Sequence, residues 1–368
     1  MKVLLSTDTV GGVLTYTAEL ARALEAQGDE VVVATMGPRL HREQRALLPG
    51  RVHESGFRLE WMEDPWDEVA AAAEWLLAIE DEERPDVVHL CSFAHGAAPF
   101  RAPKLLVAHS DVLSWWRAVH GGEAPARWDR YREEMTAGLA GADAVVAPTR
   151  AMLAELERDH ELRPGVATAI HNGSAAPAAP AGVEKRPLVL GSGRLWDQAK
   201  NLAALDAAAA GLAWPVVVAG DLGPDGKTAH AESAGALGPA AYAELRRGAS
   251  IYAAPALYEP FGLGILEAAR DRCALVLGDV PTLRELWSDA ALFVDPRDER
   301  ALHGALEALI GEKYLRDDLA ERAQRRAASY SIARAAHAYR RLYSRLAQRG
   351  RNYSRIAGRS TFGAEVRP

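Results

Sequence analysis

Residues 258–269 read YEPFGLGILEAA and place two glutamates, Glu259 and Glu267, on either side of a run with glycines at 262 and 264. An ordinary helix start carries Ser, Thr, Asp or Asn as its cap and then an apolar stripe. Here Pro260 fixes the approach, and Gly262 and Gly264 remove side chains where the helix in ILEAARD begins. Such a stretch suits a ligand that comes close to the backbone. An acid one turn inside the helix can accept hydrogen bonds from a ribose diol, and an acid in the loop before it from sugar hydroxyls. Taken singly, each glutamate also reads as an exposed surface acid.

Two cations and a second glycine pair extend the pattern. In GSGRLWDQAKN, Arg194 follows a strand-like run and Lys200 sits near the next helix start. A cation there opposes the helix macrodipole, which suggests an anion that offsets the repulsion. A solvated lysine on a helix that starts at Asp197 is the plainer alternative. After the first strand-like run, TDTVGGVLTYTAELARALEAQG puts Gly11 and Gly12 before an amphipathic helix closed by Gly28. Helix N-H groups approached through glycine can meet an anionic or polyhydroxylated ligand. The pattern is not GxGxxG, so a dinucleotide is disfavoured, and a tight strand-to-helix turn stays open as the other reading.

The elements that must hold these residues alternate. KVLLS, EVVVAT, DVVHLCS, KLLVAHS and AVVAPT fall in the first half; PLVLGSG, PVVVAGD, SIYAAPA, ALVLGDV and ALFVDP fall in the second. Continuous apolar strands between helices indicate parallel sheet buried on both faces, so each half reads as a doubly wound α/β domain. The 368 residues suffice for two such cores. Proline-rich NGSAAPAAPAGVEKRP (172–187) reads as a semi-stiff linker, which gives domains over 1–175 and 186–330. The helical run over 331–349 is expected to fold back on the first domain, and 350–368 to form a disordered tail or a weak contact with an anionic membrane surface.

A formal charge of -7 argues against a general nucleic-acid binder. Cys91 and Cys273 have no metal-ligand spacing and read as free, buried thiols of a reducing compartment. MKVLLS is too short for a signal peptide and no stretch reaches membrane-span length, so a cytoplasmic location is expected.

The chain resembles the retaining GT-B glycosyltransferases of family 4. GGV, DVVHL, VAHSD, ADAVVAPT, IHNG, GRLWDQAKN, EPFGLGILEA and YSIARAAHAYRRLY occur in that family's order. The resemblance implies a GT-B fold, with two Rossmann-like domains facing across a cleft, and a nucleotide-diphosphate sugar donor, UDP-sugar favoured over GDP-sugar. It implies that Arg194 and Lys200 bind the donor diphosphate, Glu267 the ribose, and Glu259 with the backbone of Phe261, Gly262 and Leu263 the transferred sugar. Gly11 and Gly12 would lie beside the donor phosphates, and His109 in VAHSD near the reacting sugar. Two departures stand out. Gly264 occupies a position where the family often has Ser or Thr, and Ser174 is not followed by the usual Asp.

No Asp-x-Asp occurs in the chain, so the two cations and a helix N-terminus are expected to replace a metal, with no cofactor. The acceptor, whether saccharide, lipid-linked or small molecule, is expected on the first domain. There Arg39, His41, Arg42, Arg45 and Arg51 could hold acidic groups, and Trp61, Trp66, Trp115 and Trp116, near predicted loops, could stack on sugars. A nucleotide-sugar epimerase or hydrolase, or a non-catalytic nucleotide-sugar-binding protein, are the competing readings.

Overall fold

The computed structural model describes residues 1–162, 165–176, 183–221, 223 and 226–360, with the backbone alone described from 349 onward. Two wholly parallel sheets organise the chain. The first holds β1 (Lys2–Asp8), β2 (Glu30–Met36), β3 (Arg51–Glu54), β4 (Val87–Leu90), β5 (Lys104–Val107), β6 (Ala144–Ala147) and β7 (Ala167–Ala169), in the order β3-β2-β1-β4-β5-β6-β7. The second holds β8 (Arg186–Ser192), β9 (Val216–Ala219), β10 (Glu232–Gly235), β11 (Ala249–Ala254), β12 (Ala274–Gly278) and β13 (Leu292–Val294), ordered β10-β9-β8-β11-β12-β13. The ten apolar runs read from the sequence are the inner strands of these sheets together with β13. β3, β7 and β10 were not legible, because they are edge strands with RVHE, ATA and ESAG and no fully buried residue.

The first core includes residues from the far end of the chain. Helix Ile332–Ser360 lays Ala336, Tyr339 and Tyr343 against Val3 and Leu5 of β1 and Leu14, Leu20 and Leu24 of helix Gly12–Glu25. Tyr343 Oη lies 2.6 Å from His89 Nδ1 on β4. Burying each of these leucines contributes roughly 1.5–3 kcal/mol. The helix therefore closes the first sheet's core rather than extending the second. It runs to Ser360, which corrects the expectation of a disordered tail from 350, because a helix nucleated by packing propagates through residues without proline. Residues 361–368 lie outside the described residues.

The chain crosses between the sheets twice, and the crossings touch. Ser174 N-H donates to Tyr330 O, and Ile332 N-H donates to Ser174 O, both at 3.3 Å. A side chain on Gly173 would stand 2.3 Å from the Ser331 carbonyl carbon, so only glycine fits. The start of the segment expected to be a linker is thus packed; residues 177–182 lie outside the described residues. Among the described residues no helix is long and apolar enough to cross a membrane.

Candidate active site

In doubly wound sheets ligands settle beyond the carboxyl ends of the strands where the winding reverses. That point lies between β1 and β4 in the first sheet and between β8 and β11 in the second. Asp8 ends β1 and Cys91 follows β4; Ser192 ends β8, with Arg194 two residues on.

The two edges meet at glycine. Gly11 precedes helix Gly12–Glu25 with φ 78°, a conformation that favours glycine, and a Cβ there would stand 3.4 Å from Arg194 Nη1. A Cβ on Gly12 would stand 3.8 Å from Leu263 Cδ1. Leu263 opens helix Leu263–Arg270 after Gly262, whose φ is 82°. Neither helix start has a side-chain cap, so the first N-H groups of both are left without a capping partner, and the start at Gly11 lies beside Arg194.

The charged candidates are paired within the protein. Lys200 Nζ lies 2.6 Å from Glu259 Oε2, and Arg194 Nη2 donates to Asp197 Oδ2 at 3.0 Å. Lys200 therefore has an internal partner that offsets its unfavourable place before helix Leu202–Ala208, so the macrodipole argument alone does not require an external anion. Glu267 lies 2.6 Å from Arg246, which also holds Asp271 at 2.8 Å. Burial pushes Glu267 up from the ordinary carboxylate value, against the lowering charge of Arg246. Arg246 was missed in the sequence, because nothing in its own neighbourhood shows that it reaches across 21 positions.

The missing hydroxyl at position 264 also has a structural reason. A Cβ on Gly264 would stand 2.8 Å from Tyr252 Oη. Ser192 Oγ lies 2.7 Å from both Tyr252 Oη and Tyr242 Oη, so three hydroxyls cluster where a side chain at 264 would point.

On the first-sheet side lies a cavity of about 380 Å³. Asp8, Gly11, Gly12, His109 and Arg194 line it, whereas Lys200, Glu259, Phe261, Gly262, Gly264 and Glu267 do not. His109 Nε2 is 3.4 Å from Cys91 Sγ and its ring packs edge-on against Tyr16 at 4.7 Å. Burial lowers His109 to about 4, so it is neutral near pH 7. Cys91 is a free thiol on the cavity wall, only partly buried; Cys273 is free and buried as expected. Asp8 is pushed up to about 7 by burial, against its hydrogen bond from Val10 N-H and the charge of Arg194. It went unnoticed in the sequence, although an acid ending the first strand just before a glycine pair was the available signal.

The expected acceptor groups are only partly there. Trp61 and Trp115 line the cavity, joined by Trp128 and Trp196, which were missed. Trp115 and Trp116 lie on helix Val112–His120 and Trp66 opens helix Trp66–Glu83, not loops. Arg39, His41, Arg42, Arg45 and Arg51 do not line it. His41 caps the short helix Arg42–Leu47, while Arg45 pairs with Glu54 and Arg51 with Glu83. Partners of opposite charge on neighbouring elements account for Arg45 and Arg51.

Polar contacts hold the two halves together beside the paired charges. Tyr258 Oη accepts from Asp111 N-H at 3.0 Å and lies 3.2 Å from Ser114 Oγ. Asp111 in turn lies 3.2 Å from both His160 Nε2 and Tyr131 Oη. Within the second half Leu257 N-H donates to Ala199 O at 2.9 Å, and Val119 of the first half packs with Ala199 and Tyr258 in a small apolar cluster. Lys200 and Glu259 are the next residues on these two segments. Among the described residues no group of three or more His, Cys, Asp or Glu side chains is placed to hold a metal ion.

Two family descriptions match the chain in succession: Glycosyltransferase Family 4 over residues 10–174, and Glycosyl transferases group 1 over 178–326. The chain belongs to this family of GT-B glycosyltransferases. Sucrose-phosphate synthase from Thermosynechococcus elongatus has the same fold, with a TM-score of 0.77 at 18% identity, over 94% of this chain and 99% of that one. Anabaena HepE, solved in complex with UDP-glucose, has a TM-score of 0.73 at 17% identity over 94% and 99%. A glycosyltransferase from Rickettsia africae has a TM-score of 0.70 at 15% identity over 94% and 98%. No protein of curated function matches the chain in sequence.

Proposed function

We propose that the chain transfers a hexose from a nucleoside-diphosphate sugar to an acceptor hydroxyl, with retention at the anomeric carbon and without a metal ion. The observation that carries this reading is the approach of Arg194 to Gly11 across the cleft, which joins a cation to an uncapped helix start. A departing diphosphate develops negative charge there, and preorganised positive groups stabilise it most in the transition state. Lys200 swings from Glu259 to a diphosphate oxygen when donor binds, and freed Glu259 accepts hydrogen bonds from the transferred sugar. Glu267, held by Arg246, accepts from the ribose diol. His109, neutral at the cavity wall, offers a hydrogen bond beside the anomeric carbon.

The donor is a UDP-sugar in the favoured form of this reading, supported by the UDP-glucose bound to the similarly folded Anabaena protein; a GDP-sugar is the other candidate. Acceptor attack comes from the same face as the departing diphosphate, whose oxygen takes the acceptor's proton. An epimerase or hydrolase would need no acceptor room, and the cavity beside Arg194 favours transfer. The test is a thermal-shift panel of UDP, GDP, ADP and their sugars, followed by product detection. Stabilisation by a nucleotide sugar and formation of a glycoside support the proposal. Release of free sugar as the sole product in the presence of acceptors would make the protein a hydrolase.

A further inference from the structure

Trp196 is the most exposed of the nine tryptophans, with 50% of its surface in water, and it lines the cavity two residues on from Arg194. Burial therefore does not explain why an indole stands there. It is nevertheless held in place. Its Nε1-H donates to Asp221 Oδ2 at 3.2 Å. Asp221 is itself tied down, because its Oδ1 accepts from Gly223 N-H at 3.0 Å and its carbonyl accepts from Leu195 N-H at 2.8 Å. Gly223, at φ 73°, packs so closely that a Cβ there would stand 3.4 Å from Trp196 Cβ. Over the ring fixed in this way lies the Arg194 guanidinium, with Cζ 4.7 Å from the centroid.

The ring restrains Arg194 in a way that its carboxylate partner does not. All the N-H donors of a guanidinium lie in its plane. Asp197 holds Arg194 through one of them, on Nη2, at 3.0 Å, and so occupies a donor. A ring against the face attracts the cation and takes no in-plane donor. Nη1 is the atom nearest to a Cβ built on Gly11, at 3.4 Å across the cleft. An arginine gives up much rotamer freedom when it is fixed, and this side chain is 37% exposed. Without a restraint on its face the guanidinium would sample directions away from the glycine.

We propose that Trp196 is a positioning residue, whose ring holds the Arg194 guanidinium so that Nη1 is aimed at the Gly11 loop before the diphosphate departs. The proposal rests on the glycosyltransferase reading above, since Trp196 acts through Arg194. Preorganisation of this kind stabilises the transition state more than the bound donor. Its loss therefore appears in kcat rather than in KM. Phenylalanine at 196 keeps a ring face for the cation and gives up the Nε1 anchor, whereas leucine keeps apolar bulk without a face.

The test measures nucleotide release by the whole chain from the sugar nucleotide that it turns over fastest among UDP-, GDP- and ADP-glucose. The proteins compared are wild type, Trp196→Phe, Trp196→Leu, Arg194→Ala and Arg194→Ala combined with each change at 196, with melting temperatures alongside. Trp196→Leu is expected to lower kcat by about fivefold or more and to leave KM within about twofold of wild type, with Trp196→Phe between the two. In the Arg194→Ala chain the same change should alter kcat by less than about twofold, because the group it positions is gone. A tryptophan that is merely structural, or that touches the ligand itself, costs as much without Arg194 as with it, and that result overturns the proposal. So does wild-type kcat in Trp196→Leu, or a loss confined to KM. If Trp196→Leu melts below the assay temperature, Trp196→Phe decides by the same comparison. Nucleotide release by wild type with additive losses sinks the positioning role alone. Release from none of the three sugar nucleotides sinks the glycosyltransferase reading, and the positioning role with it.

Discussion

Lys200 Nζ stands 2.6 Å from Glu259 Oε2, each the other's partner inside the cleft. Removing one leaves the other a partly buried charge without its partner, so single substitutions report the loss of two things at once.

Lys200→Ala is expected to lower turnover by roughly tenfold to a thousandfold, as removal of one preorganised charge does. Glu259→Ala in the same chain should add much less than it does alone, with a coupling of about 0.5–3 kcal/mol. A double-mutant cycle on kcat/KM, with melting temperatures alongside, checks this. Strictly additive losses would mean that the pair does not act as a unit.

Glu267 and Glu259 should divide the donor between them. Glu267→Ala is expected to weaken free nucleoside diphosphate by about 1–3 kcal/mol, the range for a charged hydrogen bond. Arg246 keeps Asp271 as a partner, so the fold should survive. Glu259→Ala should not weaken the free nucleotide, because it releases Lys200 for the diphosphate and because the proposal places Glu259 by the sugar. Calorimetry with a 2′-deoxy or 3′-deoxy nucleotide sharpens the point. That ligand should bind wild type less well, yet lose little further in Glu267→Ala and show its full penalty in Glu259→Ala.

Gly264→Ser should destabilise the protein by about 1–3 kcal/mol, since the added Cβ would stand 2.8 Å from Tyr252 Oη. Combining it with Tyr252→Phe removes that oxygen and should recover part of the loss. Urea denaturation of both variants and of Tyr252→Phe alone decides it. No destabilisation in Gly264→Ser would show that the tyrosine moves away freely.

What could be read from the sequence follows from where each signal lives. KVLLS and EVVVAT announce inner strands because both faces of a central parallel strand are buried, whereas RVHE on β3 lies at a sheet edge and carries only the pattern of a surface. Glu259, Glu267 and the glycines could be singled out because the pattern that marks them lies in spacing along a single stretch of chain. Arg246 was not, because its partners Glu267 and Asp271 lie 21 and 25 positions away, and Asp8 and Trp128 were not, because only the folded chain brings them to one cavity wall. The arginines of the 39–51 segment misled for the same reason. Their charge was visible in the sequence, but Glu54 and Glu83, which neutralise Arg45 and Arg51, were not visibly near.

Asp8 gives a stability signature in pH. Its folded-state pKa is pushed up by burial to about 7, above the unfolded value near 4, so its contribution is fully present below pH 4 and is lost as pH rises through 7. Asp8→Asn removes that loss. The melting temperature of the variant relative to wild type should therefore rise between pH 5 and pH 8. A difference independent of pH would show that Asp8 titrates as an ordinary exposed acid. His109, lowered to about 4, acts in the opposite sense below pH 6.5 and is common to both proteins, so it cancels in the comparison.

The central claim, that protein cations in the cleft stand in for a metal at the departing diphosphate, is tested most directly by nucleotide release from the preferred sugar nucleotide in EDTA. Wild type should turn over undiminished, and Arg194→Ala, folded to the same melting temperature, should be slower by roughly tenfold to a thousandfold. Activity abolished by EDTA and restored by magnesium or manganese, or an Arg194→Ala variant as fast as wild type, would contradict it.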